Sequence, residues 1–259
     1  MSELRGRVAV VTGGTRGVGA AIVGALAAAG ADVVAVSRSE AVVAGARHVR
    51  ADVTEPGEVE DALRGVEQNV GPIALLVNNA ATAAAIGPIW LVDPEEWWSD
   101  VMSSLLGAFL CSRTVVPGMR ERRAGRIINV ASHAGTRPSP YLSGYAAAKA
   151  ALLNFTESLA AELAEDGIKV FALSPGRVRT ALTEPMVTSA AGRRWLGGLG
   201  SGRWLEPELA GRSVVQLASG RADSLNGRFL HALDDVQELV ARADEISEQD
   251  LYVPRLRTS

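Results

Sequence analysis

The chain has 259 residues, of which 47% are hydrophobic and 21% are charged, and its formal net charge is −3. This composition is that of a globular chain, and the slight negative charge excludes the basic surface typical of nucleic-acid binding. No uncharged apolar stretch reaches the ~18 residues of a membrane span, and no apolar segment precedes Gly6 as in a signal peptide. We therefore expect no membrane contact and a cytoplasmic location. The single cysteine, Cys111, excludes an internal disulfide framework; we expect a buried helix residue there, with a reactive thiol as the alternative.

The chain begins with a pattern typical of dinucleotide binding. The apolar run Val8–Val11 is followed by a glycine-rich turn and an alanine-rich helix that extends to about Ala29. Glycines permit the tight turn and let the backbone approach a pyrophosphate, whose charge lies at the helix N-terminus. The residues of this turn that we expect to bind a dinucleotide are Thr12, Gly13, Thr15, Arg16, Gly17, Val18 and Gly19.

Predicted strands and helices alternate along the rest of the chain. Short runs of branched apolar residues are typical of parallel strands buried on both faces, and they occupy Val8–Val11, Val33–Val36, Ile73–Val77, Ile127–Val130 and Val170–Leu173. Helical patterns occupy Val18–Ala29, Pro56–Val70, Pro94–Arg122 and Gly144–Glu165. The gap between Arg38 and a strand near His48–Ala51 is too short for a full crossover helix. The pattern predicts one α/β domain over residues 1–259, a doubly wound parallel β-sheet with helices on both faces.

Three side chains in the second half of the chain suit chemistry on a carbonyl or an alcohol. Tyr145 and Lys149 lie four residues apart in a predicted helix and so share one helix face, and Ser132 follows a predicted strand. A phenol with a pKa near ~10 is a poor proton shuttle at neutral pH. An adjacent ammonium is expected to lower that pKa by about 1–3 units. The Tyr-x-x-x-Lys spacing alone is weak, and its meaning depends on the other motifs.

Taken together, the motifs resemble the short-chain dehydrogenase/reductase family in its compact single-domain branch. The resemblance covers about Arg7 to Phe229 and rests on the glycine turn, Asp52-Val53, Asn78-Asn79-Ala80-Ala81, Ser132, Tyr145-x-x-x-Lys149 and Pro175-Gly176-x-Val178-x-Thr180. It implies a Rossmann-type fold and an NAD(P)-dependent oxidoreductase. In that family Tyr145 would exchange the proton with the substrate oxygen, Lys149 would lower the tyrosine pKa and bond the nicotinamide ribose, and Ser132 would hydrogen-bond the substrate oxygen.

The resemblance also implies cofactor contacts outside the glycine turn. The Asp52 side chain would contact the adenine beside the Val53 backbone, although Asp52 also suits the role of a carboxylate at a helix N-terminus. Ala81 replaces a glycine that is usual in the family. The other expected contacts are Asn79, Ala80, Tyr145, Lys149, Pro175, Gly176, Val178 and Thr180.

The residues after the second strand indicate which cofactor is used. NAD-preferring members have an acidic side chain there, which accepts a hydrogen bond from the ribose 2′-hydroxyl. This chain has Ser37 and Arg38 at that place, and Arg16 lies in the glycine turn. Guanidinium groups favour a 2′-phosphate, and Glu40 lies beyond the strand end. We therefore expect NADP(H), with NAD(H) as the less favoured alternative.

One family position differs in this chain. Ser104 takes the place of an asparagine that helps to hold a water relaying protons to the lysine in the family. A serine hydroxyl has one donor where an amide has two, so the relay is expected to need an extra water or to be slower. Ser104 is kept here as a catalytic candidate.

Three features outside the motifs allow more than one interpretation. Residues 181–206 are rich in glycine and contain Trp195 and Trp204, which favours a mobile lid over the substrate, with a surface loop as the alternative. The lid residues Arg193, Arg194 and Arg203 would meet an anionic substrate or be solvated. His133 either faces the substrate entrance or is solvated in its loop. Residues 231–259 form a C-terminal extension to which we assign only packing.

The sequence thus predicts an NADP(H)-dependent ketoreductase or secondary-alcohol dehydrogenase that acts on a small carbonyl or alcohol substrate without a metal. The alternatives are a slow or inactive nucleotide-binding member, or one that catalyses an epimerisation or a reduction–elimination. We also expect a homo-oligomer, a tetramer or a dimer, formed through the two long helices Pro94–Arg122 and Gly144–Glu165. Packing of every apolar position on the chain's own sheet is the alternative.

Overall fold

The computed structural model describes residues 3–256. The strands are β1 (Val8–Thr12), β2 (Asp32–Ser37), β3 (Ala46–Arg50), β4 (Ile73–Asn78), β5 (Gly125–Val130), β6 (Ile168–Ser174) and β7 (Phe229–His231). The helices are α1 (Gly17–Ala28), α2 (Pro56–Asn69), α3 (Pro94–Val101), α4 (Gly107–Glu121), α5 (Ser143–Glu162), α6 (Glu184–Thr188), α7 (Ala190–Trp195), α8 (Glu208–Ser219), α9 (Val236–Ala241) and α10 (Ala243–Glu248).

All seven strands form one parallel sheet in the order β3-β2-β1-β4-β5-β6-β7. Helices cover both faces, because each central strand is apolar on both sides. Side chains of α1 and α8 fill one face with the core residues Ile22, Leu26, Val214 and Leu217. Side chains of α2, α4 and α5 fill the other face with Val59, Leu63, Leu110, Val115 and Leu159. The prediction of a doubly wound, Rossmann-type parallel sheet is therefore confirmed.

The structure differs from the expected elements in the crossover after β2 and in the first long helix. Residues 39–45, all described, form no helix between β2 and β3, as the short gap predicts. The segment predicted as one helix over Pro94–Arg122 is divided into α3, a π-helical turn at Met102–Leu106 and α4. A π-helical turn inserts one residue into the hydrogen-bond pattern and changes the direction of the side chains around it.

The sheet order places a crevice at the carboxyl ends of β1 and β4. The chain leaves β1 for β2 on one side and returns to β4 on the other side, so the loops after these two strands diverge. Such a switch point is where doubly wound folds bind their ligands. Thr12 ends β1 and Asn78 ends β4, which places the glycine turn opposite the Asn79–Ala81 segment.

The helical stretch Pro94–Glu121 has the length and the mean hydropathy to cross a membrane, although it is interrupted by charged residues such as Asp100 and Arg113. Its side chains Cys111, Val115 and Met119 are buried in the core against the sheet, which is the packing of a core helix. Cys111 is 2% exposed, and burial raises the pKa of its thiol to about 12. The buried interpretation of Cys111 is therefore correct, and the reactive-thiol alternative is wrong.

The C-terminal extension packs against the domain, as far as the described residues reach. It begins with the short strand β7, and Leu239 of α9 and Ile246 of α10 are buried in the same core as α1 and α8. Beyond α10, the Tyr252 carbonyl accepts a hydrogen bond of 2.8 Å from the Phe229 amide. The extension therefore closes one end of the core beside β7.

Candidate active site

The glycine turn after β1 forms a cradle in which side chains cannot be accommodated. Gly13 and Gly17 have φ values of 62° and 55°, a region that favours glycine. A Cβ at Gly19 would lie 2.1 Å from the Gly13 carbonyl oxygen. Among residues 3–256 no side chain caps α1, and the first turn of α1 has no acidic residue. Its backbone N–H groups are thus available to a phosphate, and the cradle fits a dinucleotide pyrophosphate.

Thr12 holds the two sides of the crevice together. Its side chain is 2% exposed, and its hydroxyl accepts hydrogen bonds from the Asn79 amide at 3.0 Å and the Ala80 amide at 3.1 Å. In return, the Asn79 side-chain amide donates to the carbonyl oxygens of Thr12, at 2.9 Å, and Gly13, at 3.1 Å. Thr12, predicted as a cofactor contact, instead lies beneath the cavity and positions the residues that line it.

A cavity of about 760 Å³ opens at the crevice. Apart from Thr12, every residue predicted to bind the cofactor lines this cavity, from the glycine turn through the segment after β4 to Thr180. Tyr145 and Lys149 lie in its wall, whereas Ser104 and Ser132 do not. Nucleotide-sized ligands occupy cavities of this volume.

Basic side chains dominate the end of the cavity next to β2. Arg16 and Arg38 both line it, and the Arg38 Nη1 atom is 4.0 Å from the Asp52 Oδ2 atom. Glu40 lies outside the wall, and its carboxylate is 3.6 Å from the His48 Nδ1 atom. The acid that sequence counting places near the ribose is therefore turned to a histidine instead.

Asp52 is held in a turn rather than at the helix N-terminus. Its Oδ1 atom accepts from the Thr54 amide at 2.9 Å and from the Thr54 hydroxyl at 2.8 Å. The residue at the N-cap position of α2 is Glu55, whose side chain makes no capping bond within the described chain. The helix-capping alternative for Asp52 is therefore wrong, and its carboxylate lines the cavity with a fixed orientation.

Tyr145 and Lys149 lie together on α5, as their spacing predicts. The Lys149 Nζ atom is 5.6 Å from the centre of the Tyr145 ring and donates a hydrogen bond of 2.8 Å to the Val130 carbonyl oxygen. The Lys149 side chain is buried, and this desolvation lowers its pKa to about 8. A buried ammonium anchored by a single carbonyl on β5 is held at a defined place in the site.

The pKa of Tyr145 is raised in the ligand-free structure, whereas the sequence predicts that it is lowered. Desolvation raises the pKa of Tyr145, and the negative charge of Asp100 adds to the rise, while a hydrogen bond with Ser132 opposes it. Burial disfavours the phenolate more than its neighbours favour it. Tyr145 thus keeps its proton at neutral pH in this cavity.

Ser132 lies where β5 ends and a short helical turn begins. Its hydroxyl accepts a hydrogen bond of 3.1 Å from the Ala134 amide and caps the turn His133–Gly135. This bond uses the oxygen as an acceptor and leaves the hydroxyl proton to donate. Ser132 is outside the cavity wall and is joined to Tyr145, which lines the cavity, by a side-chain hydrogen bond.

Ser104 lies behind the cavity wall, in the π-helical turn that packs against α5. It is 2% exposed, and its hydroxyl has no hydrogen-bond partner within residues 3–256. Its neighbour Ser103 lines the cavity and accepts a hydrogen bond of 3.0 Å from the Thr82 amide. The role of Ser104 in a proton relay stays a prediction.

His133 lies outside the cavity wall and is held by its neighbours. The residue is exposed, and its ring lies 5.2 Å from the ring of Phe229 and 5.1 Å from that of His231. Its Nδ1 atom is 3.3 Å from the Ser174 Oγ atom. Desolvation, with His231 and Arg137, lowers the pKa of His133. The ring is thus partly packed, and its place at the substrate entrance stays a prediction.

Sequence reasoning missed Asp100, which is fully buried on α3. Its carboxylate oxygens accept hydrogen bonds from the amides of Ala84, at 2.9 Å, and Ala85, at 3.2 Å, and so fix the loop that forms one wall of the cavity. Only the spatial neighbours of Asp100 disclose this role.

The sequence also contains a signal that singles out Lys149. The chain has only two lysines, Lys149 and Lys169, among its 26 lysine and arginine residues.

The first residues of the segment predicted as a lid line the cavity. Leu182, Thr183 and Pro185 line the cavity, and Met186 packs on Ala83 and Leu142. The rest of the segment is held outside the cavity by aromatic contacts. The Trp195 ring lies 5.1 Å from the Tyr141 ring, and Trp204 lies beneath the guanidinium groups of Arg177 and Arg179, at 5.8 and 5.3 Å.

Known proteins with similar sequences and structures place the chain in a family. The profile of the short chain dehydrogenase family matches residues 7–190. The 3-oxoacyl-(acyl-carrier-protein) reductase FabG of Vibrio cholerae is 35% identical over 238 residues, which cover 88% of this chain and 96% of that protein. The acetoacetyl-CoA reductase of Paracoccus denitrificans is 35% identical over 229 residues, 85% of this chain and 94% of that protein.

A solved structure agrees with the sequence relatives. The gluconate 5-dehydrogenase of Burkholderia cenocepacia, crystallised with NADP and tartrate, superimposes with a TM-score of 0.79. It is 33% identical, and the match covers 88% of this chain and 94% of that protein. This chain belongs to the short chain dehydrogenase family and is an NAD(P)-dependent oxidoreductase acting on carbonyl and hydroxyl groups.

Proposed function

We propose that the chain is an NADP(H)-dependent ketoreductase that uses Tyr145 as its acid and base. The observation that carries the proposal is that Tyr145 and Lys149 lie in the wall of the cavity that the glycine cradle also lines, with Ser132 hydrogen-bonded to Tyr145. A protein that only binds nucleotide has no use for this trio at the place where the nicotinamide would lie.

Two observations support NADP(H) over NAD(H). Arg16 and Arg38 line the adenosine end of the cavity, and Glu40 is outside it. Guanidinium groups form charge-assisted hydrogen bonds with a phosphate, whereas a ribose hydroxyl gains less from them. The solved gluconate 5-dehydrogenase holds NADP, which is consistent with the same preference here.

The residues of the chain have distinct tasks in the proposed reaction. When bound, NADPH supplies the hydride that adds to the carbonyl carbon. Ser132 donates its hydroxyl proton in a hydrogen bond to the carbonyl oxygen, where negative charge develops. Tyr145 transfers its proton to that oxygen, and the Lys149 ammonium stabilises the phenolate that remains. In alcohol oxidation the proton moves back to Tyr145.

The names of relatives support the reductive direction. The pKa of Tyr145 does not separate the two directions, because the phenol is protonated at neutral pH with or without its rise. Two relatives are named as reductases of a 3-oxoacyl and an acetoacetyl group. We infer that reduction of a ketone is the direction that this site favours.

We also propose that the protein is a cytoplasmic homo-oligomer, a tetramer or a dimer. Phe109 on α4 is 44% exposed and makes an edge contact of 6.4 Å with Phe155 on α5. On α5, Ala147 and Ala161 are exposed small residues that would let a second helix approach closely. A two-fold axis through these helices would bring identical surfaces together.

The test of the function is direct. Purified protein is mixed with NADPH and a panel of ketones, and the absorbance of NADPH is followed while the product is identified. Formation of the secondary alcohol, with loss of NADPH, supports the proposal. Nucleotide binding without turnover would favour the inactive alternative, and a product other than the alcohol would indicate an epimerisation or a reduction–elimination.

A further inference from the structure

We propose that the substrate end of the cavity selects a flat, apolar ketone, such as an aryl ketone, that carries no negative charge, and that Glu95 and Trp98 make this selection. The inference rests on the proposed ketoreductase function and adds the chemical class of its substrate. It depends on three features of the described residues: one face of α3, the apolar wall near Tyr145, and the distribution of charge.

One face of α3 lines the cavity. Glu95, Trp98 and Ser99 are in its wall, and their spacing of three and four residues from Glu95 places them along a single helix face. Met102, the first residue of the π-helical turn, continues this wall. Trp98 is 56% exposed, so its ring is available to a ligand. A large aromatic surface that is partly exposed at a cavity mouth is suited to stacking with another flat group.

The orientation of Trp98 is supported by its neighbours. Its ring is stacked on that of Trp97 with centres 6.1 Å apart and planes 14° apart. The Trp97 indole N–H donates a hydrogen bond of 3.1 Å to the Ser143 hydroxyl at the start of α5. A Cβ at Gly144 would lie 3.0 Å from the Trp97 carbonyl oxygen, so α3 and α5 approach closely here. The tryptophan pair is thus tied to the helix that carries Tyr145.

The cavity wall near Tyr145 is largely apolar. Leu182 and Pro185 of the lid, and Ala83 of the loop after β4, line the cavity there. Ala83 and Leu182 belong to the small apolar cluster that packs around Tyr145. A carbonyl placed at Tyr145 would therefore have its substituent between these side chains and Trp98. Burial of an apolar group between them is favourable by about 25 cal/mol per Å².

The charges around this end disfavour an anion. Among the described residues that line the cavity, the charged side chains are Arg16, Arg38, Asp52, Glu95 and Lys149. The two arginines and Asp52 lie at the adenosine end, and Lys149 is buried beside Tyr145. Glu95 is thus the charged group at the substrate mouth, and within residues 3–256 no cation pairs with it.

The arginines of the lid do not compensate for Glu95. Arg193 donates a hydrogen bond to the Thr188 carbonyl, and the Arg194 guanidinium lies 4.6 Å from the centre of the Trp195 ring. Arg203 is exposed, and all three lie outside the cavity wall. The expectation that they meet an anionic substrate is therefore not supported by the structure. The proposed preference for an uncharged substrate differs from that of the solved relative, which is named for gluconate, an anionic sugar acid.

The test uses three ketones of one shape. Acetophenones with a para carboxamide, carboxylate or aminomethyl group differ chiefly in charge. With wild-type protein and NADPH, the carboxylate is expected to have a kcat/KM about 3- to 10-fold below that of the carboxamide, because its charge is repelled by Glu95. Added salt should narrow this difference. Equal or higher kcat/KM for the carboxylate would overturn the proposal.

Variants identify the residues responsible. Glu95→Gln is expected to raise kcat/KM for the carboxylate to near that for the carboxamide, while Glu96→Gln leaves both unchanged. Glu96 is a matched control, since it lies on the same turn, is exposed, and is bonded through its amide to the Asp93 carboxylate as Glu95 is, yet is outside the cavity wall. Trp98→Ala should raise KM for all three ketones alike. An unchanged charge preference in Glu95→Gln would contradict the assignment.

Equilibrium binding separates this inference from the proposed function. The same three ketones are titrated into the protein with NADP⁺ and their binding is followed by ligand-observed NMR. Binding in the order expected from charge, without turnover, would support the substrate class and contradict the reductase function. Turnover of all three with equal kcat/KM would support the function and contradict the substrate class. Neither binding nor turnover of any aryl ketone would also overturn the inference.

Discussion

The Lys149 ammonium lies 5.6 Å from the centre of the Tyr145 ring while it donates a 2.8 Å hydrogen bond to the Val130 carbonyl oxygen. Burial acts on the two side chains in opposite directions. It raises the pKa of Tyr145 and lowers that of Lys149 to about 8. At neutral pH the Tyr145 phenol is therefore protonated and Lys149 is mostly an ammonium ion, which loses its proton near pH 8. In this state the phenol can donate a proton and the ammonium can stabilise the phenolate.

The pKa of Lys149 can be measured directly, because the chain has only two lysines. Protein labelled with ¹³C at the lysine side chains should give two ε-carbon signals, and Lys169→Arg assigns them. The Lys149 signal is expected to titrate near pH 8 in the ligand-free protein. A midpoint close to 10.5 would show that Lys149 is hydrated and that the buried geometry is wrong.

The same shift has a consequence for stability. Because the pKa of Lys149 is lower in the folded protein than in the unfolded chain, the buried ammonium costs stability below pH 8. This cost is lost as pH rises from about 8 towards 10.5. Lys149→Met should therefore be more stable than wild type at pH 7, with the difference shrinking as pH rises. Ketone reduction by the wild type should decline as the pH rises through about 8, because neutral Lys149 no longer stabilises the phenolate.

The cofactor preference depends on Arg16 and Arg38. NADP(H) is expected to bind at least about tenfold more tightly than NAD(H), which corresponds to roughly 1.4 kcal/mol. Arg16→Ala with Arg38→Ala should remove most of this preference, chiefly by weakening NADP(H). Calorimetric titration with both cofactors measures it, and Arg47→Ala, an exposed arginine outside the cavity, is the control. Equal affinity of the wild type for the two cofactors would refute the assignment.

Ser104 tests whether the proton relay limits the rate. Ser104→Asn is expected to preserve the fold and to keep or raise kcat, because an amide offers a second donor in the π-helical turn. Ser104→Ala should cost little stability, since the serine hydroxyl has no partner within the described residues. Kinetics and thermal unfolding of both variants check this. A large fall in kcat for a folded Ser104→Asn would show that serine is required by a different water arrangement.

The oligomer prediction concerns the exposed face of α4 and α5. Light scattering at micromolar concentration, with and without NADPH, should give a multiple of the 27.1 kDa chain mass. Phe109→Arg should shift the mass towards a single chain, because Phe109 is 44% exposed on that face. Arg212→Ala on α8, an exposed arginine on a helix that covers the other face of the sheet, is the control. A wild-type mass of one chain under both conditions would contradict the proposal.

The sheet could be predicted from the sequence because its strands are buried on both faces. Val8–Val11 and Val170–Leu173 have apolar residues at nearly every position. In the structure both segments are strands of the one parallel sheet. The glycine turn was readable for a similar reason, since Gly13 and Gly17 occupy backbone conformations that favour glycine. These are local properties of the chain, so a local pattern is enough to find them.

The remaining features depend on neighbours that are distant in sequence. Thr12 is bonded to the segment after β4, and Asp100 to the loop at Ala84, so neither role has a sequence pattern. The π-helical turn lies between two α-helices without a break, and its residues have no pattern that distinguishes a π-helix from an α-helix in the sequence. The rise in the Tyr145 pKa depends on burial, which a spacing rule for Tyr145 and Lys149 does not contain.

The central claim is that Tyr145 transfers the proton to the substrate oxygen, and Tyr145→Phe tests it most directly. The change removes the hydroxyl and keeps the ring, so NADPH binding, measured by calorimetry, should persist. Reduction of the best ketone, followed as loss of NADPH, should fall by at least about 10²- to 10⁴-fold, the range of general acid catalysis. Tyr141→Phe, a tyrosine outside the cavity wall, should keep its activity. If Tyr145→Phe retained most of the wild-type kcat, the assignment of Tyr145 as the acid would be wrong.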